Sequence, residues 1–501
     1  VQSSCYTGRS LVIQERILKV LFVSSEFTPL AKVGGLADAV AGLATALMEL
    51  GHEVRVMLPL YGCVDRRNFE ITFESSCCVH LGGGAENWVG IWKCVLPSGL
   101  ECRFVDYERY FARPGLYDEH GRAYEDNGWR FALFCKASLQ HCKDCGWIPD
   151  VLHAHDWPTG LCAVFLKTWD RILSPLSAVK TVFTIHNIGH QGKCPASLFQ
   201  FIGVGGEHFS ADGFEDHGAV NLLKAGINYS DFVTTVSPTH AKELITKEGG
   251  CGLDGYLLRK WHQKSFCGVL NGVDYSEWNP AEDRLIPDRF DVGDMSGKKV
   301  CKKALQMELG LTTDDDVPLL GCVTRLVWQK GVQLMQDCLH EALAEMRFQL
   351  VILGKGETNA EDYFRWLQNQ FPGRVSSYIG FSNDLAHLIF AGADLFLMPS
   401  MYEPCGLSHL YAMRYGAVPL VRYCGGLADT VQNYNESSGT GTGFVFYDAT
   451  PKALYNTIGW AISTWYDRPV HFENLRENAM QKRFSWSEAA QKYEEIYKSI
   501  L

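Results

Sequence analysis

Long hydrophobic runs are missing from this 501-residue chain. No stretch approaches the roughly 18–20 uninterrupted apolar residues of a membrane span, and the longest apolar runs are strand-sized. Positive charge is also scarce: 46 Lys and Arg against 57 Asp and Glu leave a formal net charge of -11. So acidic a chain is a poor general binder of nucleic acid or of an anionic membrane, and neither is expected as a partner. It can still hold an anionic small ligand in a local basic pocket. The 48 glycines follow no period, which excludes collagen, and 47% apolar with 21% charged residues excludes a largely disordered chain. Paired metal-binding motifs are lacking too. Cys142-Lys143-Asp144-Cys145, preceded by His141, is a lone CxxC, whereas a structural zinc wants four ligands, usually from two such pairs. Asp314-Asp315-Asp316 precedes a strand and reads as a solvated turn rather than a magnesium site.

What is present starts with 18 cysteines, many inside apolar runs, such as Cys162 in LCAVFL and Cys322 in LLGCV. The chain is too long to be a disulfide scaffold, so free thiols in a reducing, intracellular compartment are expected. It opens at Val1 rather than at methionine, the form expected of a trimmed piece, in which a lost targeting segment is invisible.

Residues 17–23 are a short apolar run, a glycine-bearing loop follows, and Leu36 to Leu50 carries Leu36, Val40, Leu43, Ala44, Leu47 and Met48 at helical spacing. With residues 54–58 this predicts a β-loop-α-β unit, the building block of a parallel sheet. Strand-like runs recur at 151–155, 181–185 and 231–236, and restart after about residue 270 at 318–326, 349–354, 376–381, 394–400 and 417–421. Residues 274–298 are polar and mixed, a candidate linker. The last residues, from about Ser485, read as one helix. The expectation is two doubly wound, Rossmann-like α/β domains facing a cleft, covering 17–270 and 271–484, with a C-terminal helix over 485–501 that crosses back to the first.

The chemistry-bearing residues sit where these strands end. Strand C-termini in open α/β sheets face the ligand crevice. Lys32-Val33-Gly34-Gly35-Leu36 follows the first strand; its glycines leave amides free at a helix start and Lys32 adds charge, which suits a phosphate or a sugar hydroxyl. It is neither GxGxxG nor a P-loop. GGLAD occurs twice, at 34–38 and 425–429, one loop per half, as if a ligand were gripped between them. His153-Ala154-His155-Asp156-Trp157 ends a strand; it reads as a packed strand end, a crevice wall or, given a third ligand, a metal site. His186-Asn187 with Gly189 and Gly192 ends the next and makes a sugar-type surface of donors and acceptors without net charge. In the second half, Arg325 and Lys330 can converge on one diphosphate. Glu403, in Tyr402-Glu403-Pro404-Cys405-Gly406-Leu407, precedes an expected helix N-terminus and can accept hydrogen bonds from two sugar hydroxyls.

Taken together, KVGGLAD, HAHDW, TIHNIGHQG, NGVD at 271–274 followed by Trp278, RLVWQKG at 325–331, EPCGL and the second GGLAD resemble the bacterial glycogen synthase and plant starch synthase family, from about Leu18 to the C-terminus. The resemblance implies a GT-B glycosyltransferase that transfers glucose from ADP-glucose to the non-reducing end of an α-1,4-glucan with retention, working in the cytoplasm if bacterial in type or the plastid stroma if plant or algal. It implies no cofactor and no metal. It places Lys32, Gly34 and Gly35 at the phosphates, with Asp38 also in the donor site, Arg325 and Lys330 on the diphosphate leaving group, and His186 and Asn187 on the transferred glucose. Asp156 shapes the acceptor side. Glu403 orients the glucose hydroxyls, flanked by Cys405, Gly406, Leu407 and Ser408, with Asn271 also at the donor site. Phe381 stacks on adenine, where relatives often carry Tyr. Two departures stand out: Ser408-His409 replaces the common Thr-Gln, and Tyr411 stands where many related retaining transferases carry a second glutamate. A UDP-glucose-using GT-B enzyme and a non-catalytic glucan-binding scaffold are the alternatives.

Overall fold

The computed structural model describes residues 16–84 and 86–501. Strands buried on both faces read as unbroken apolar runs, and such runs pair in parallel under flanking helices. That pattern holds for the central strands of the first sheet, which comprises β1 (Lys19–Val23), β2 (Glu53–Pro59), β3 (Thr72–His80), β4 (Glu86–Val95), β5 (Glu101–Asp106), β6 (Val151–His155), β7 (Lys180–Ile185), β8 (Phe232–Thr235) and β9 (Phe266–Gly268). Their spatial order is β9-β8-β7-β6-β1-β2-β5-β4-β3. Pairing is parallel as far as β5; β4 and β3 complete the sheet antiparallel as an edge hairpin. The second sheet holds β10 (Leu319–Val323), β11 (Gln349–Gly354), β12 (Val375–Ile379), β13 (Leu395–Met398), β14 (Val418–Arg422) and β15 (Phe444–Phe446), all parallel, in the order β12-β11-β10-β13-β14-β15.

Six helices matter below: α1 (Gly35–Glu49), α2 (Asn127–Asp144), α3 (Pro238–Leu244), α4 (Ser408–Arg414), α5 (Gly425–Thr430) and α6 (Trp486–Ile500). The two GGLAD copies start α1 and α5. The C-terminal helix α6 packs on α1, and Ala489, Ala490, Tyr493, Ile496 and Tyr497 join the core of the first sheet. Close approach is possible because Gly42 has no side chain: a Cβ there would lie 2.2 Å from the Trp486 indole. Below the strand ends, Tyr497 Oη and His153 Nδ1 share a hydrogen bond of 2.8 Å, and His153 Nε2 meets Thr184 Oγ1 at 2.6 Å. His153 is thus bound into the α6 contact.

The chain crosses between the two sheets twice, and the crossings run side by side. Val273 N donates to Phe484 O at 2.8 Å, and Phe484 N to Tyr275 Oη at 3.0 Å. The segment 274–298 is not a free linker. Trp278 stacks between His387 and Tyr411 at 4.1 and 4.0 Å, buried Asp283 binds His387 and Tyr415, and a helix begins at Ser296. A polar composition concealed that packing, because the polar groups are satisfied by one another.

Candidate functional site

The site lies where strands of both sheets end. In the first half, β6 runs into Asp156, whose backbone is held at φ 57, a left-handed conformation unusual for a residue with a Cβ. Its carboxylate accepts from the backbone amides of His186 at 2.7 Å and Asn187 at 3.4 Å, tying the end of β6 to the turn after β7. Burial pushes the Asp156 carboxyl up to about 7, against the two amides that favour its ionised form. Burial pulls the His186 imidazolium down to about 3, so its ring is neutral, and Nε2 meets His155 Nδ1 at 3.1 Å. A neutral imidazole and an amide are groups suited to sugar hydroxyls.

The loop after β1 differs from expectation in one respect. The amides of Val33 and Gly34 are not free: both donate to Glu26 Oε2, at 2.7 and 2.9 Å. Glu26 is buried, and Tyr117 Oη donates to its other oxygen at 2.8 Å. An internal carboxylate therefore fills the anion nest that the sequence offers to a ligand. Gly35 begins α1, and Lys32 pairs with Asp38 at 2.8 Å while remaining half exposed. Asp38 also accepts from Thr28 Oγ1.

In the second half, Lys330 Nζ lies 2.6 Å from Glu403 Oε2, and Ser400 Oγ donates to the same oxygen at 3.0 Å. Both charges are largely out of water, with side-chain exposures of 14% and 6%. Arg325 is exposed, its guanidinium 3.4 Å from Gln329 Oε1, and its charge acts on Tyr402 and His190. Gly406 has φ 75, which lets the loop turn beneath Glu403. Burial pushes the Cys405 thiol up to about 12, so it is an inert thiol. Ser408 starts α4, and the departure at His409 is a structural one: burial and then the Lys330 charge pull its imidazolium down to about 3, and its Nε2 meets Thr430 Oγ1 at 2.6 Å. Asn271 is buried at the crossing. Phe381 is 90% exposed.

The halves touch through these same residues. Tyr402 Oη donates to Asn187 Oδ1 at 3.4 Å, and a Cβ on Gly35 would lie 3.7 Å from Leu407. Farther along, α3 and α5 cap each other. Asp429 accepts from Thr239 N and Oγ1 at 3.0 and 2.6 Å and from Ser237 Oγ at 2.5 Å, while Glu243 accepts from Gly425 N at 2.8 Å. The second GGLAD aspartate thus joins the halves.

Residues 19–259 match the family described as the starch synthase catalytic domain. The chain is 42% identical over 482 residues to glycogen synthase 1 of Geobacter metallireducens, covering 96% of this chain and 95% of that one. The chain belongs to the glycogen and starch synthase family. Glycogen synthase of Treponema denticola is 43% identical over 489 residues, covering 96% and 98%. Residues 310–482 match glycosyl transferases group 1. Among solved structures, the catalytic domain of starch synthase IV from Arabidopsis thaliana, bound to ADP and acarbose, superposes with a TM-score of 0.88 at 34% identity, covering 97% of this chain and 99% of that one. The family fold, GT-B, is therefore that of the two parallel α/β sheets described above. Sucrose-phosphate synthase from Thermosynechococcus elongatus shares the fold, with a TM-score of 0.59 at 18% identity. Among the described residues, no helix is long and apolar enough to cross a membrane.

Sequence reasoning missed Glu26, Tyr117, His155, Tyr402 and the Asp429–Glu243 exchange. His155 and Tyr402 lay inside motifs already singled out. Glu26 had a signal too, as a lone carboxylate among SSEFTPL, but its partners are chosen by the fold.

Proposed function

We propose that the chain is a retaining glucosyltransferase of the glycogen synthase type, which moves glucose from ADP-glucose to the non-reducing end of an α-1,4-glucan. The observation that carries this reading is the match, over nearly the full length of both chains, to glycogen synthases at 42–43% identity. The starch synthase structure bound to ADP and acarbose supports the choice of donor and acceptor.

In this reading, departure of ADP puts negative charge on its β-phosphate and positive charge on the anomeric carbon. Lys330 and Arg325 meet the first; Lys32 approaches from the other half once it leaves Asp38. This is electrostatic stabilisation by preplaced charge, and the cations come from the protein. Glu403, held by Lys330 and Ser400, accepts from sugar hydroxyls and offsets the second. His186 and Asn187 face the transferred glucose, with Asp156 fixing their backbone. A conventional retaining glycosidase needs two carboxylates about 5 Å apart. Tyr411, stacked on Trp278, occupies the place of a second glutamate. We therefore favour same-face attack guided by the leaving phosphate. The remaining donor contacts fall to Gly34, Gly35, Asp38, Asn271, Cys405, Gly406, Leu407 and Ser408, and Phe381 stacks on adenine after closure. Release of ADP and of UDP from the two glucose donors, each with and without added glucan, tests the reading. ADP release that requires glucan supports it; release from UDP-glucose alone, or from neither donor, overturns it.

A further inference from the structure

The edge hairpin β3–β4 carries chemistry that glucosyl transfer does not use. In its ladder His80 lies directly opposite Glu86, and Cys78 opposite Trp88. Side chains two residues apart on a strand point to the same face, so Cys78 and His80 on β3 and Glu86 on β4 share one side of the hairpin. His80 and Glu86 are exposed and Cys78 partly so. One ligand atom from each, a sulfur, a ring nitrogen and a carboxylate oxygen, lies within 4.8 Å of the other two. No described residue forms a side-chain hydrogen bond or ion pair with any of the three.

We propose that Cys78, His80 and Glu86 form a binding site for a borderline divalent transition ion, zinc in chemical type, with water completing the coordination. Thiolate, imidazole and carboxylate are zinc's three protein ligand types, at about 2.0–2.3 Å, whereas magnesium and calcium require oxygen donors throughout. Donors around one tetrahedral zinc stand about 3.3–3.7 Å apart at those bond lengths, so rotation of exposed side chains through about 1 Å completes the set. On binding, the Cys78 sulfur gives up its proton to solvent, and thiolate and carboxylate together neutralise the dication. The pairing of His80 with Glu86 gives the site its rigidity, because the two are fixed opposite each other by the ladder. Its effect is local. The metal cross-links the turn end of an edge hairpin, five strand spacings from β6, about 24 Å from the strand ends that carry Asp156. It therefore leaves glucosyl transfer unchanged.

The test uses the full chain, stripped with EDTA and titrated with Co²⁺, whose thiolate complexes absorb in the near ultraviolet. One equivalent is expected to give the charge-transfer band, and one equivalent of Zn²⁺ to abolish it. Other exposed thiols, Cys63, Cys145 and Cys251, are present in every variant. Cys78→Ser should therefore lose the band, and His80→Ala and Glu86→Gln should each weaken Co²⁺ binding at least about ten-fold, as loss of a metal contact does. Circular dichroism confirms that each variant is folded. No band in the wild-type chain, a band that survives Cys78→Ser, or weakening below ten-fold in either other variant overturns the site.

Discussion

The Lys330–Glu403 pair offers the sharpest quantitative test. Replacing Lys330 with methionine preserves most of the apolar stem and removes the charge. At 2.6 Å, and with an effective dielectric of about 20, the lost attraction is about 6 kcal/mol. Desolvation of two largely buried groups offsets part of that, so the expected cost of stranding one partner is about 3–5 kcal/mol. Ser400 Oγ still donates to Glu403 and holds the loss toward the lower figure. Glu403→Gln strands Lys330 in the same way. The double variant strands neither, so its loss should fall short of the sum of the singles by about 2 kcal/mol or more. Denaturant midpoints of the four proteins supply the cycle. Turnover measured alongside should fall at least about 100-fold in each single variant, as when a transition-state contact is removed. Additivity within about 0.5 kcal/mol would refute the coupling, and near-normal turnover in either single variant would remove that residue from the mechanism.

Four further outcomes follow from named contacts. Folding raises the Asp156 carboxyl from its ordinary range to about 7, so the native state holds that proton more tightly and the benefit is lost as pH rises through 7. Asp156→Asn should therefore gain thermal stability relative to wild type between about pH 5 and about pH 9; a constant or shrinking difference contradicts this. Gly42→Leu drives a side chain into Trp486 and should cost about 1–3 kcal/mol or more by pushing α6 off α1, read by chemical denaturation; an unchanged midpoint counts against the packing. Chelators should leave glucosyl transfer intact, since Arg325 and Lys330 supply the cations; EDTA inactivation reversed by Mg²⁺ would oppose that. The two halves should close further on the donor about the paired crossings at Val273 and Phe484, and an unchanged radius of gyration in scattering with and without ADP would argue against closure.

Much of the fold was legible because it is written in local pattern. Buried parallel strands such as Leu395–Met398 are unbroken apolar runs, and the helix from Trp486 shows its core face at helical spacing. The edge hairpin was not legible: one of its faces meets solvent, so ESSCCVH and NWVGIWK read as mixed sequence. The positions of Lys330 and Glu403 after strand ends were legible, but their direct contact was not, since it depends on how β10 and β13 neighbour each other. Glu26 shows the limit most clearly. Its meaning lies in two amides and a tyrosine supplied by other segments, and the glycines that invite a phosphate are partly served by that internal carboxylate. The second GGLAD illustrates the same point, because Asp429 grips α3 of the other half.

Incorporation of radiolabelled glucose into glycogen is the most direct test of the central claim. The purified chain, given ADP-glucose and glycogen, is expected to lengthen outer chains with label that α-1,4-specific exo-hydrolysis from the non-reducing end removes completely. UDP-glucose should label far less, and Glu403→Gln hardly at all. Label that resists such hydrolysis, an equal signal from UDP-glucose, or no incorporation from either donor by a folded chain would contradict the account.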